Sequence, residues 1–438
     1  MPFCGDCAII LEFEFNFNTI GVCHVTQHCL NARPTSEPEQ SNAMIIDYTD
    51  KQKALRKELR LYFKQLCKPE YRDELRSAEG GELYKSLIRQ MGRDGWLALG
   101  WPEAYGGRGA TSTEQLMFFE EALLAGAPIP FVTLNTVGPA LISYGSEAMK
   151  QKFLPGIAAG ETHFCIGYSE PSAGTDLAAL TTTAILDPDD NDYYIINGTK
   201  VFTSSAEAAD YVWLAVRTTP DSRHKGISMI VVDTSLEGFS YSPIHTVGGV
   251  RTNMSYYNNI RVHKSMMIGE PDKGWGLIMS QLNHERVGLA AWGIQGWKLF
   301  SRALEWSRTP SAHSHNRGQR PIDENRIQTS MAEALARLEA MRVMNARMAW
   351  DLDRGSMNPA LASALKVFST EGLIEICRLL MECIGPSALV RAGSEAAMLM
   401  GDLEHEYRRC QINTFGGGIN ELQRGIVANF GLDMPRHR

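Results

Sequence analysis

The sequence predicts a mainly α-helical protein with an inserted β domain, and three observations carry that reading. From Met44 to about residue 155 apolar residues recur at helical spacing. Between roughly 160 and 275 the period shortens and β-branched and aromatic residues cluster between turn residues. From Trp275 helical spacing returns and runs almost to the end. The expected organisation is a segment 1–43 outside the fold, a helical domain 44–155, a β domain 156–274 and a helical bundle 275–438.

The first helix is announced by Thr49 and Gln52, which have the spacing of a capping box, with Tyr48 at the staple position. Leu55, Leu59, Tyr62, Phe63 and Leu66 then form one stripe. Leu83–Met91, Ser112–Leu124 and Asn135–Tyr144 continue the pattern, punctuated by Gly106–Gly107 and Pro128–Ile129–Pro130. In the β region, Tyr193–Ile196 and Lys200–Thr203 flank Asn197–Gly198, which predicts a hairpin turn at that dipeptide. Tyr211–Val216, Gly226–Val232 and Tyr256–Val262 are further strands of a small antiparallel sheet. Pro310–Pro321 reads as a loop, and no internal repeat is visible.

With 438 residues, 44% hydrophobic and 21% charged, the chain has the composition of a soluble globular protein. Its formal charge of −7 argues against nucleic acid as a partner. No apolar run reaches the roughly 18–20 residues of a membrane span. The stretch Ala8–Ile20 lacks the basic start of a signal peptide, so the cytoplasm is the expected compartment. Four of nine cysteines, Cys4, Cys7, Cys23 and Cys29, crowd the N-terminus with His24 and His28. The Cys4–Cys7 spacing suits one half of a zinc site, but the second half is badly spaced, and no metal is expected.

The helix that begins near Trp275 bears the chemistry. Ile278, Leu282, Leu289 and Trp292 draw one apolar stripe, and Glu285 falls inside it. A carboxylate on a buried face resists ionisation, which moves its pKa toward the range of a general base. Spacing alone equally allows an ion pair with His284, Arg286 or a distant cation. No phosphate-cradling glycine fingerprint is present, and Gly416–Gly417–Gly418 reads as a tight turn between helices.

The string Tyr168–Ser169–Glu170–Pro171–Ser172–Ala173–Gly174–Thr175–Asp176 resembles the signature of the acyl-CoA dehydrogenases. Further matches follow in register over residues 44–435: Gly100–Trp101–Pro102 with Tyr105–Gly106–Gly107, and Tyr144–Gly145–Ser146 with Lys152–Phe153–Leu154–Pro155. Ile196–Asn197–Gly198–Thr199–Lys200 and Gln423–Arg424 complete the set. The resemblance implies a helical N-terminal domain, a middle β-barrel and a C-terminal four-helix bundle. It also implies FAD, α,β-dehydrogenation of an acyl-CoA thioester, and electron transfer to an electron-transferring flavoprotein. Carried over by position, Ile166, Gly167, Tyr168, Ser169, Phe202, Thr203, Ser204, Gly418 and Asn420 are the expected FAD residues. Thr175, Asn283, Arg286, Gly416 and Gly417 are the expected substrate residues.

In most such enzymes the base lies in a Tyr-Glu-Gly-Thr string near the C-terminus; here Phe415–Gly416–Gly417–Gly418 stands there instead. A minority carry the base where this chain has Asn283–His284–Glu285–Arg286, so the resemblance implies Glu285 as base. Two elements that hold the ADP half of FAD are replaced by Arg308–Thr309–Pro310 with a polar loop and by Ile384–Gly385–Pro386–Ser387. These features resemble the base-bearing subunit of heterotetrameric bacterial steroid side-chain dehydrogenases, implying a second acyl-CoA dehydrogenase subunit in an α2β2 complex. His224–Lys225–Gly226–Ile227–Ser228 belongs to the same likeness. Two other readings are a non-catalytic subunit that completes a partner's flavin site and an acyl-CoA oxidase that uses oxygen.

Overall fold

A computed structural model describes residues 47–77, 80–220, 222–281, 292–310, 318–356 and 358–435. The N-terminal cysteines and histidines lie outside the described residues, as do Asn283, Glu285 and Arg286. The chain divides into two compact units, Met1–Leu55 and Arg56–Arg438. In the first, the capping box is formed: the Thr49 backbone donates to Gln52 Oε1 (3.0 Å) and the Gln52 backbone to Thr49 Oγ1 (3.3 Å). Helix α1 (Asp50–Leu66) follows that cap.

In the second unit, α2 (Arg72–Ser77), α3 (Glu82–Arg93), α4 (Ser112–Ala125), α5 (Gly138–Tyr144) and α6 (Glu147–Ala159) make the first helical block. Helix α4 starts on a complete Thr111–Glu114 capping box and ends at left-handed Gly126. A π-helical turn, Val132–Val137, precedes α5. Phe63 and Phe118 are buried against each other with ring centroids 5.5 Å apart.

Eight strands follow: β1 (Phe164–Gly167), β2 (Thr183–Asp187), β3 (Asp190–Lys200), β4 (Tyr211–Arg217), β5 (Ile227–Asp233), β6 (Phe239–His245), β7 (Arg251–His263) and β8 (Met267–Ile268). Their order is β6-β7-β3-β2-β4-β5-β8, with β1 beside β4. The sheet is largely antiparallel, but β1 runs parallel to β4, and Thr183 of β2 meets Arg217 of β4 in parallel. Strands β4 and β5 are buried almost throughout, which explains their unbroken apolar runs. Strand β6 contains Pro243 and lies at one end of the order, the place where a residue without an N–H is tolerated. Its mostly exposed, proline-bearing sequence hides it from periodicity arguments.

The hairpin expected at Asn197–Gly198 is overturned. Strand β3 passes straight through that dipeptide, and the turn lies earlier, between β2 and β3 at Pro188–Asp189. Asn197–Gly198 is instead a bulge where the β3–β7 register shifts. Asn197 spends its polarity across the sheet: its Nδ2 donates to Asn259 Oδ1 (3.0 Å) and its Oδ1 accepts from the Asn259 backbone (2.9 Å). Gly198 has φ +154°, and a Cβ there would stand 2.4 Å from Thr182 Oγ1.

The later helices are α7 (described residues 274–281), α8 (Gln295–Arg308), α9 (Asn325–Asp353), α10 (Pro359–Ile384), α11 (Asp402–Arg409) and α12 (Asn420–Gly431). Helix α10 is the central one. Asn358 caps it, with its Oδ1 accepting from the Ala360 backbone, and Pro359 occupies the first helical position. Leu373, Ile376 and Leu380 are buried with Leu299, Phe300, Met331 and Leu338 of α8 and α9, and Leu365 is buried with Ala362 and Met348.

The bulge makes a direct prediction. Gly198→Val should lower unfolding free energy by about 1–3 kcal/mol through overpacking against Thr182. Gly174→Ala, where a Cβ meets nothing within 4 Å, should change it by less than about 0.5 kcal/mol. Urea unfolding of both variants checks the contrast.

Candidate functional site

The signature string forms the loop after β1, and one buried ion pair fixes it. Lys200, at the end of β3, is fully buried, and its Nζ lies 2.8 Å from Glu170 Oε1. The same Nζ donates to the carbonyl of Tyr168 (3.1 Å). Glu170 accepts three more bonds: the Thr181 backbone and hydroxyl reach Oε2 (2.7 Å each), and the Thr182 backbone reaches Oε1 (2.8 Å). Burial pushes the Glu170 pKa up, but the Lys200 ammonium and the threonine donors outweigh it and hold the carboxyl down at about 2. Burial pulls Lys200 down to about 8, with Glu170 resisting, so the ammonium survives at neutral pH.

The chain after Lys200 turns sharply. The Val201 backbone donates to the Ser169 carbonyl (2.8 Å), so the two segments run side by side. Phe202 takes φ +61°, a left-handed conformation that costs energy for an aromatic residue, and the residue is 65% exposed. Thr203 is fully buried, with its hydroxyl 2.9 Å from that of Ser255. Ser204 is exposed and donates to Thr252 Oγ1 (3.1 Å). The structure thus brings together seven of the expected cofactor residues: Ile166, Gly167, Tyr168, Ser169, Phe202, Thr203 and Ser204. Thr175 is exposed further along the loop, beside Asp176, which pairs with Arg223 (2.8 Å).

Gly416, Gly417, Gly418 and Asn420 form a separate cluster on α10, built around a second buried lysine. Lys366 Nζ donates to the carbonyls of Thr414 and Gly418 (3.0 Å each) and to Asn420 Oδ1 (2.6 Å). Asn420 Nδ2 in turn donates to Glu371 Oε1 (2.9 Å), and Glu371 pairs with Arg424 (2.7 Å). Gly417 and Gly418 have φ of +68° and +95°, so this is the tight turn that the glycines suggest. Among the described residues, a Cβ on Gly416 would meet nothing within 4 Å.

Sequence reasoning missed Gln281, the last described residue of α7. Its Oε1 accepts from Tyr168 OH (2.7 Å) and from Trp213 Nε1 of β4 (3.0 Å). It also missed Lys366, whose only sequence signal is a lysine inside an otherwise apolar helix stripe. Among the described residues no group of His, Cys, Asp and Glu could hold a metal ion. No helix among them is long and apolar enough to cross a membrane.

The ion pair generates a two-part prediction. Lys200→Met leaves Glu170 buried without its counter-charge and should cost about 3–5 kcal/mol of stability, whereas Glu170→Gln with Lys200→Met should recover most of it. Glu170 is depressed in the folded state, so its contribution is complete above its ordinary value near 4.5 and is lost as pH falls toward about 2. The double variant should lose that acid dependence. Denaturant titrations across pH 2–7 read both effects.

Comparison with known proteins identifies the family of the fold. The acyl-CoA dehydrogenase N-terminal, middle and C-terminal domain families match residues 49–161, 165–260 and 272–432. Over 409 residues the chain is 47% identical to acyl-CoA dehydrogenase FadE26 of Mycobacterium tuberculosis, covering 90% of this chain and 99% of that protein. The crystal structure of the ChsE4-ChsE5 complex from Mycobacterium tuberculosis superposes with a TM-score of 0.84 at 46% identity, covering 90% of this chain and all of that one. The Tcur3481-Tcur3483 steroid ACAD gives 0.84 at 44% identity over the same shares. A helical block, an inserted sheet carrying the signature loop, and a bundle centred on α10 are therefore the parts of an enzyme of the acyl-CoA dehydrogenase family, to which this chain belongs.

Proposed function

We propose that this chain is the base-bearing subunit of a flavin-dependent dehydrogenase that oxidises a bulky acyl-CoA thioester between Cα and Cβ. The observation that carries the reading is the Glu170–Lys200 pair, which holds the signature loop beside Phe202 and Ser204. That pairing makes one face of backbone, an exposed aromatic ring and an exposed hydroxyl. These residues fit a flat ring system with polar edges: Phe202 keeps a strained backbone and an exposed ring, a cost repaid when a planar group covers it. Ile166, Gly167, Tyr168, Ser169, Phe202, Thr203 and Ser204 would hold FAD on the sheet side, with Gly418 and Asn420 on the bundle side. When bound, the flavin supplies the two-electron acceptor for the hydride that leaves Cβ.

The chain's own residues do the acid–base work. Glu285 takes the α-proton, so that the C–H electrons form the new double bond as the hydride departs. Asn283, Arg286 and Thr175 position the CoA arm, and Gly416 and Gly417 leave room for the acyl group. Among the described residues Gly416 has no neighbour within 4 Å of where a Cβ would be, which supports a ring-bearing acyl group such as a steroid side chain. The departures at 308–310 and 384–387 support a partner acyl-CoA dehydrogenase subunit that completes the ADP half of the FAD site in an α2β2 assembly. An electron-transferring flavoprotein is the proposed acceptor.

Replacing the base tests the assignment. In the complex co-expressed with its partner subunit, Glu285→Gln should cut turnover of a steroid side-chain CoA ester by about 10²–10⁴-fold while flavin content stays unchanged. Turnover equal to that of the unsubstituted complex would reduce this chain to a non-catalytic subunit.

A further inference from the structure

We infer that Gln281 is a positioning residue that fixes the rotation of α7 against the signature loop, acting through Tyr168. The inference deepens the reading proposed above and rests on it.

Helix α7 docks on the sheet at its first residue, where Gly274 approaches β5 so closely that a Cβ would lie 2.8 Å from Ser228 backbone atoms. Trp275 adds a ring contact with His224 at 4.6 Å. Leu277 and Ile278 are buried. Gln281, 3% exposed, closes the described part of the helix. The orientation of its amide is decided by chemistry. Trp213 Nε1 can only donate, so the atom facing it must be the carbonyl oxygen. The same oxygen accepts from Tyr168, and Nε2 is buried with no partner among the described residues.

Satisfying Trp213 needs one acceptor of any kind, and a helix residue that did only that would be structural. Gln281 does more. It gathers two donors from two different elements onto one oxygen, and it keeps an orphaned donor that costs about 1–3 kcal/mol. Tyr168 is the residue whose carbonyl accepts from Lys200. A shift of α7 is thus transmitted to the loop through Tyr168 OH, and a shift of the loop to α7. Glu285 follows Gln281 by four residues in the sequence. The bond therefore links the loop proposed to face the flavin with the segment proposed to carry the base.

The test uses the flavin-loaded complex with its partner subunit. Tyr168→Phe removes one hydroxyl from the link, and Gln281→Leu removes the shared acceptor. Each should lower kcat by about 10–100-fold with KM for the acyl-CoA little changed, as misplacement of reacting groups does. The double variant should be no slower than the worse single, because both cut the same link. Gln281→Glu keeps an oxygen acceptor at the same reach and should recover most of the rate. The visible flavin band should shift in Tyr168→Phe and in Gln281→Leu, and keep its unsubstituted position in Gln281→Glu. Unchanged kcat and an unshifted band in Tyr168→Phe would overturn the inference, even if Gln281→Leu fails to fold. So would rate losses that multiply in the double variant. An unsubstituted complex that binds no flavin would instead defeat the functional reading itself.

Discussion

A lysine and a glutamate taken fully out of water are expensive, and the geometry around Lys200 and Glu170 shows how that cost is met. The ammonium is shared between the carboxylate and the Tyr168 carbonyl, and the carboxylate collects two backbone amides and a hydroxyl besides. Each carboxylate oxygen accepts two bonds, so the carboxylate is fully used. Because removing either partner strands the other, the pair tolerates little movement. It therefore ties the loop after β1 to the end of β3, beside the backbone bond from Val201 to Ser169. The strained turn at Phe202 is sustained by that tie and by the Val201–Ser169 backbone bond.

The bundle repeats the device with different chemistry. Lys366 is buried in the middle of α10 and pulls two carbonyls and an amide oxygen of the glycine turn onto one ammonium. Three consecutive glycines would leave that turn with many conformations, and the lysine selects one. In both places a long cationic side chain on a regular element organises an irregular segment. Function concentrates in such segments, and rigidity has to be imported from elements that have it. The Gln281 oxygen adds a third tie of the same kind between a helix and a loop.

Much of the fold could be read from the residues because it rests on local rules. The Thr49–Gln52 capping box, the helical stripes of the first block and the buried runs of β4 and β5 follow from neighbours along the chain. The Asn197–Gly198 dipeptide misled for an equally physical reason. Its turn-forming preference is intrinsic, but cross-sheet bonds from Asn197 to Asn259 outbid it, and glycine was needed for the approach of Thr182. The motif strings at 168–176 and 196–200 were visible as separate words. What joins them is a pair 30 residues apart. Lys366 reaches Asn420 across 54 residues. Nothing in spacing or periodicity encodes contacts of that range. The proposed base at 285 lies outside the described residues, so its role stands on sequence and family position.

One buried ion pair holds the loop after β1 against the end of β3. Hydrogen–deuterium exchange on the unsubstituted protein and on Lys200→Met, at matched fractions folded, addresses it most directly. The amides of Val201, Thr181 and Thr182 should lose protection together in the variant, while those of β4 and β5 keep theirs. Protection that persists at Val201 and Thr182 without the lysine would contradict it.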